Sequence, residues 1–226
     1  GHFVPALNAL IAWSCGVLNI TNPSMNRFSE QQQQIQNQNQ GLLLLISAEM
    51  CVTTHSIDSI CQYMNMQDTL VVGAALPGHD YQGGGGTIMQ DPNQNIKDVA
   101  ANHLEDSNNF GMDIEVEVEL NGRTCPWNTL AVWSLGKLAI TGFPLLADGL
   151  HSYSDGRPGA AGIEEFSTIL LLQRLFADKS AKAKLVKVEG IEWEQTFDDE
   201  NRKQWHESKM KSKVTRAERH RDILGD

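Results

Sequence analysis

The chain has 226 residues, 41% apolar and 20% charged, the profile of one globular domain with an appendage rather than of a disordered tract. Its 18 Lys and Arg against 28 Asp and Glu give a formal net charge of -10. That argues against a broad nucleic-acid footprint, which needs a basic face, while leaving room for a local basic pocket. The longest aliphatic run, at 42–46, is far shorter than the ~18 residues that span a bilayer.

In chain order, residues 5–14 read as a helix with Pro5 near its start, broken at Gly16, and 17–20 as a short strand. Thr21-Asn22-Pro23-Ser24 is a turn and helix cap. The Gln/Asn-rich stretch 25–40 has the composition of low complexity. Met25, Phe28, Gln32 and Ile35 at helical spacing nevertheless predict a surface helix. Residues 42–47 form a continuous apolar run, the signature of a strand buried on both faces. A helix from Thr54 carries Ile57, Ile60, Cys61 and Met64 on one side, and 70–76 is a second buried strand. Strand, helix and strand in about 30 residues predict a βαβ unit and an α/β fold on a mainly parallel central sheet.

Residues 77–95, with Gly83 to Gly86, read as a long loop. Alternation over 113–120 predicts a half-exposed strand, turned at Asn121-Gly122, with 129–133 as its partner. Residues 135–141 read as a short helix ended by Gly142, and 147–161 as a second glycine-rich loop. The clearest helix is 162–177, with Glu164 and Glu165 in its first turn. A strand at 184–188 follows. From 198 onward the chain is a charged helical tail with Trp205 as its expected anchor and a solvated basic face.

Several positions carry chemistry. Ser47-Ala48-Glu49 ends a buried strand, where ligands of open α/β sheets bind, and a carboxylate there is a candidate ligand for a divalent cation. One of Glu164 and Glu165 is a candidate general base, because a neighbouring acid and partial burial raise a carboxyl pKa into a useful range. His79, at the end of the second buried strand, is a candidate metal or pyrophosphate contact. Trp127 and Asn128 offer an aromatic floor and an amide for a sugar. The glycine run lacks the Lys-Ser/Thr and helix start of a phosphate loop. Residues 1–20 show no basic segment of the secretory type. Cys15, Cys51, Cys61 and Cys125 make no Cys-x-x-Cys pair, so a reduced cytoplasmic chain is expected.

The run Leu42-Leu-Leu-Leu-Ile-Ser-Ala-Glu49, the helix after it and Thr69-Leu-Val-Val-Gly-Ala74 together resemble the middle of family-two glycosyltransferases of the GT-A type. Asn22-Pro-Ser-Met-Asn26 is similar to that family's segment before the strand, Thr141-Gly-Phe143 to its "GgF" element and Gly162-Ile-Glu-Glu165 to its "ED" element. The likeness covers roughly residues 16–195 in the order and type of elements. It implies a GT-A-like three-layer sandwich over 1–197 followed by the tail 198–226. No counterpart of the family's opening apolar strand precedes Pro5, so the domain is expected either as a fragment or with a rebuilt nucleotide site.

The implied activity is transfer of a sugar from a nucleotide diphosphate donor to an acceptor hydroxyl. Glu165, or Glu164, would be the base, and Glu49 would hold Mg²⁺ or Mn²⁺ on the pyrophosphate. Trp127 and Asn128 would face the acceptor. Arg123, Lys137 and Arg157 are the candidate direct phosphate contacts. Two other readings stay open: a non-catalytic nucleotide-sugar-binding or interaction module on the same fold, and a hydrolase using Glu164, Glu165 and His79.

Overall fold

A computed structural model describes residues 3–18, 41–81, 88–90, 116–150, 160–176, 178–193 and 199–225. The expected surface helix at 25–40, the glycine run at 83–86, Arg157 and the side chain of Trp205 lie outside the described residues.

The order of elements is α1 (Phe3–Val17), β1 (Leu42–Ile46), β2 (Met50–Val52), α2 (Thr54–Gln62), β3 (Thr69–Ala74), β4 (Ile88–Gln90), β5 (Val116–Val118), β6 (Leu130–Ser134), a short α3 (Leu135–Leu138), β7 (Gly149–Leu150), β8 (Ala160–Ala161), α4 (Glu164–Phe176), β9 (Lys182–Val186), β10 (Ile191–Trp193), α5 (Glu200–Lys211) and α6 (Lys213–Leu224). The class is α/β. Val17 ends α1 and Leu18 is a turn, so these two residues extend the first helix rather than open a strand.

Six strands form one sheet in the order β1-β6-β3-β9-β4-β5. β6 runs antiparallel to both β1 and β3, and β4 antiparallel to β9, while β3–β9 and β4–β5 are parallel. The sheet is therefore mixed and not mainly parallel. β1 and β3 do point the same way, as a βαβ unit requires, but β6 is inserted between them. All five residues of β6 are buried, as are all six of β3, so both are interior strands. For the same reason β6 is not the partner of β5, which pairs with β4. A continuous apolar run reports burial on both faces and is silent on direction.

The core gathers Trp133, Phe143, Phe166, Ile60, Leu70 and Ile169, each almost fully excluded from water. Trp133 and Phe143 meet edge to face at 5.4 Å. Each such side chain contributes about 1.5–3 kcal/mol through removal of apolar surface from water. α2 is capped by Thr53, whose Oγ1 accepts from the Ser56 amide at 3.1 Å, and it packs on β3 and β6. Asp148 Oδ1 accepts from the amides of Phe3 and Val4, both at 3.0 Å, placing an anion at the positive end of α1.

The charged tail is not a solvated appendage in its second half. α6 packs on α4, and Lys213, Arg216, Ala217 and His220 are buried. Arg221 pairs with Glu119 at 2.8 Å, and Ser167 Oγ meets His220 Nδ1 at 2.9 Å. No helix among the described residues is long and apolar enough to cross a membrane.

Candidate functional site

A cleft of about 1000 Å³ lies beyond the end of β1. Its floor is the turn Ile46-Ser47-Ala48 with Asn128 and Thr129, held together by the Ser47 amide donating to the Thr129 carbonyl at 2.8 Å. One wall is the start of α4, with Glu164 and Glu165. The facing wall is the α5–α6 corner, with Lys209, Lys213 and Arg216. A shallower depression of about 450 Å³ on α5 shares Ser208 and Ser212 with this rim and is open to solvent.

Two glycines let these walls close. A Cβ on Gly122 would lie 2.1 Å from the Lys213 carbonyl oxygen, and one on Gly162 2.6 Å from the carbonyl oxygens of Ala147 and Asp148. Backbone passes backbone at both points, and any side chain would force the walls apart.

Glu164 and Glu165 differ in environment. Glu165 is sealed, with Lys213 Nζ 3.3 Å from its Oε1. The Glu164 carboxyl is pushed up to about 7, first by burial and then by the neighbouring Glu165 charge. It is thus the carboxyl poised to take a proton near neutral pH. Lys213 also sits 3.8 Å over the Trp127 ring.

Other expected site residues lie elsewhere. Trp127 is a core residue: its ring stacks on His79 at 3.6 Å and its Nε1 donates to the Gly122 carbonyl at 2.9 Å, so it is no open sugar platform. His79 is not a phosphate or metal contact. The Leu76 amide donates to its Nδ1 at 2.9 Å, which leaves the proton on Nε2, 3.1 Å from the Cys125 carbonyl. Burial holds its pKa down at about 3. Arg123 is tied to Asp80 at 3.2 Å and to the Gly78 carbonyl, away from the cleft. Lys137 directs its three N–H groups at the carbonyls of Gln67, Thr69 and Ser180, leaving no donor for a phosphate. Asn128 does line the cleft. Trp133 Nε1 donates to its Oδ1 at 3.0 Å, which fixes the amide orientation, and its buried Nδ2 has no partner among the described residues.

The residues do not fit the divalent cation that the family resemblance implies. Mg²⁺ or Mn²⁺ needs a near-octahedral oxygen set with one or two carboxylates free to bind it. Glu49 is exposed, is bound to Arg202 at 3.0 Å and is not part of the cleft wall. Among the described residues no three His, Cys, Asp or Glu side chains are grouped to hold a metal.

The residues missed by sequence reading are Lys209, Lys213 and Arg216. Their spacing of four and three, continued by His220 four residues on, was the available signal: it puts them on one helical face. Ser212, between the two helices, keeps φ -84° and ψ 0°, so the stripe continues past the junction.

No protein-family model, curated protein or solved structure matches the chain.

Proposed function

We propose that the protein transfers a glycosyl group from a nucleotide diphosphate donor to an acceptor hydroxyl within the cleft at the end of β1. The observation that carries this reading is Glu164: a carboxyl raised to about 7, at the start of a helix, opening on a cleft of about 1000 Å³ with a cationic opposite wall. A cleft of that volume is at the upper end of small-molecule sites and large enough for a nucleotide sugar. Asn128 lies on the cleft floor, and its Nδ2 has no partner among the described residues.

In the reaction, Glu164 accepts the proton of the acceptor hydroxyl. The freed oxygen forms a bond to the anomeric carbon while the bond from that carbon to the diphosphate oxygen breaks, and the electron pair leaves on the diphosphate. Glu165 does not act as the base. Its Oε1 is occupied by Lys213 Nζ at 3.3 Å, and the Glu165 charge helps to raise the Glu164 carboxyl.

The reading is tested by incubating the protein with UDP-, GDP- and TDP-sugars and an acceptor mixture, and measuring nucleoside diphosphate release. Release that falls at least a hundredfold in Glu164→Gln supports it. Release from no donor, or full release by the variant, rules it out. The engagement of Glu49 by Arg202 favours, as second reading, a nucleotide-sugar-binding module without transfer, which binds the same donors with no release.

A further inference from the structure

We infer that the acceptor hydroxyl is carried on an apolar chain, and that this chain lies in the corner of the cleft between α1 and the end of β1; the inference deepens the reading above and rests on it. Five side chains make the corner. Phe3 and Leu7 lie one turn apart on α1, Leu45 and Ile46 end β1, and Ile163 immediately precedes α4, and all five line the cleft. The turn at Ala147 and Asp148 brings them together. Asp148 Oδ1 accepts from the amides of Phe3 and Val4 at 3.0 Å, and the Ala147 carbonyl accepts from the Ile163 amide at 3.1 Å. Leu7, Leu45 and Ile163 are buried, whereas Phe3 is 51% and Ile46 41% exposed, so a ligand in the cleft can reach these two rings and branches directly.

Single apolar side chains on a surface are ordinary, but five gathered in one concavity mark a contact site. None of the five can donate or accept a hydrogen bond. A nucleobase or a sugar set against them would bury polar atoms without partners, whereas an alkyl chain gives up only apolar surface. Charged side chains of the cleft, Glu164, Lys213 and Arg216, stand instead on α4 and α6, which makes the cleft amphipathic. Ile163 and Glu164 are consecutive residues at the start of α4. A chain packed on Ile163 therefore begins beside the carboxyl that takes the hydroxyl proton. The formal net charge of -10, and a first helix with no Asp, Glu, Lys or Arg from Phe3 to Val17, favour a neutral amphiphile over an anionic one.

The experiment is titration calorimetry of the full chain with n-octyl β-D-glucoside, kept below its micelle concentration, and with methyl β-D-glucoside, which has the same head and no chain. The octyl compound is expected to bind at least tenfold more tightly, a difference that burial of about two methylenes supplies. Phe3→Asn and Ile46→Asn are each expected to weaken octyl glucoside at least fivefold without changing the response to UDP. Trp13→Asn removes an aromatic side chain that is 66% exposed on α1 and does not line the cleft, and should leave all binding unchanged. Circular dichroism confirms that each variant is folded, and should Ile46→Asn fail to fold, Phe3→Asn alone decides. Equal binding of the two glucosides, no binding of octyl glucoside, or a loss in Trp13→Asn equal to that in Phe3→Asn overturns the inference. So does a Phe3→Asn variant that loses UDP and keeps octyl glucoside, which assigns the corner to the nucleobase. Octyl glucoside held through Phe3, with no nucleoside diphosphate released from any donor, keeps the apolar corner and discards the transferase. Release that proceeds equally with methyl and octyl glucoside as acceptors keeps the transferase and discards the apolar corner.

Discussion

Lys213 Nζ lies 3.3 Å from Glu165 Oε1 and 3.8 Å over the Trp127 ring, with the two charged side chains only 9% and 6% exposed. This one ammonium ties the start of α6 to the start of α4 and to the loop before β6, the three segments that close the cleft. Lys213→Met removes the counter-charge and leaves Glu165 buried beside Glu164. The expected cost is about 3–5 kcal/mol. Urea unfolding measures it, and the double variant Lys213→Met with Glu165→Leu should recover most of the loss. A single-variant loss below about 1 kcal/mol would contradict the burial of the pair.

Glu164 and His79 give opposing pH dependences. Glu164 binds its proton more tightly in the folded chain, at about 7 against an ordinary 4.5, so its contribution to stability is lost as pH rises through 7. His79 binds its proton less tightly, at about 3 against 6.5, so its contribution is lost as pH falls below 6.5. Between pH 4.5 and 6.5 the two slopes oppose, each up to about 1.4 kcal/mol per pH unit. Glu164→Gln should therefore show stability rising with pH across this window, and His79→Gln stability falling with it. Urea midpoints at several pH values read this directly. Parallel profiles in the two variants would refute it.

Gly122 and Gly136 predict contrasting alanine effects. Gly122→Ala drives a Cβ to 2.1 Å from the Lys213 carbonyl oxygen and should cost about 1–3 kcal/mol, with a lower melting temperature. Gly136, in α3, has nothing within 4 Å of an added Cβ. Gly136→Ala should be neutral or stabilise by about 0.5–1 kcal/mol. Equal effects at the two positions would show that α6 does not pass over residue 122 as described.

Glu49 and Arg202 are 45% and 63% exposed, so their ion pair should contribute no more than about 1 kcal/mol. Glu49→Gln is expected to melt within a few degrees of wild type. Mn²⁺ should raise the melting temperature of neither protein. A Mn²⁺-dependent rise that Glu49→Gln abolishes would return Glu49 to a metal site.

Local chemistry made much of the fold legible. The apolar runs beginning at Leu42 and Leu70 are strands, the helix expected from Thr54 is α2, and the acids Glu164 and Glu165 open α4. Each is written within a few residues, because alternation, capping and helix-end charge act over one or two turns. Glu164 and Asn128 both line the cleft. Trp127 and His79 did not follow: the same residue types serve a solvated site or a packed stack, and only their neighbours decide between them.

By itself, then, the sequence determined the main strands and helices, though not the short strands β2, β4, β7, β8 and β10, and that an acid pair begins the helix over Glu164–Phe176. Tertiary structure alone decided that β6 divides β1 from β3, since strand order follows from long-range pairing and an apolar run carries no direction. It also decided that a basic stripe read as solvated turns inward at Lys213 and Arg216. The fate of those charges depends on partners far along the chain: Glu165 for Lys213, and the Gly162 carbonyl for Arg216. A buried charge is stable only where such partners meet it, and helical spacing names the face without naming what that face will touch.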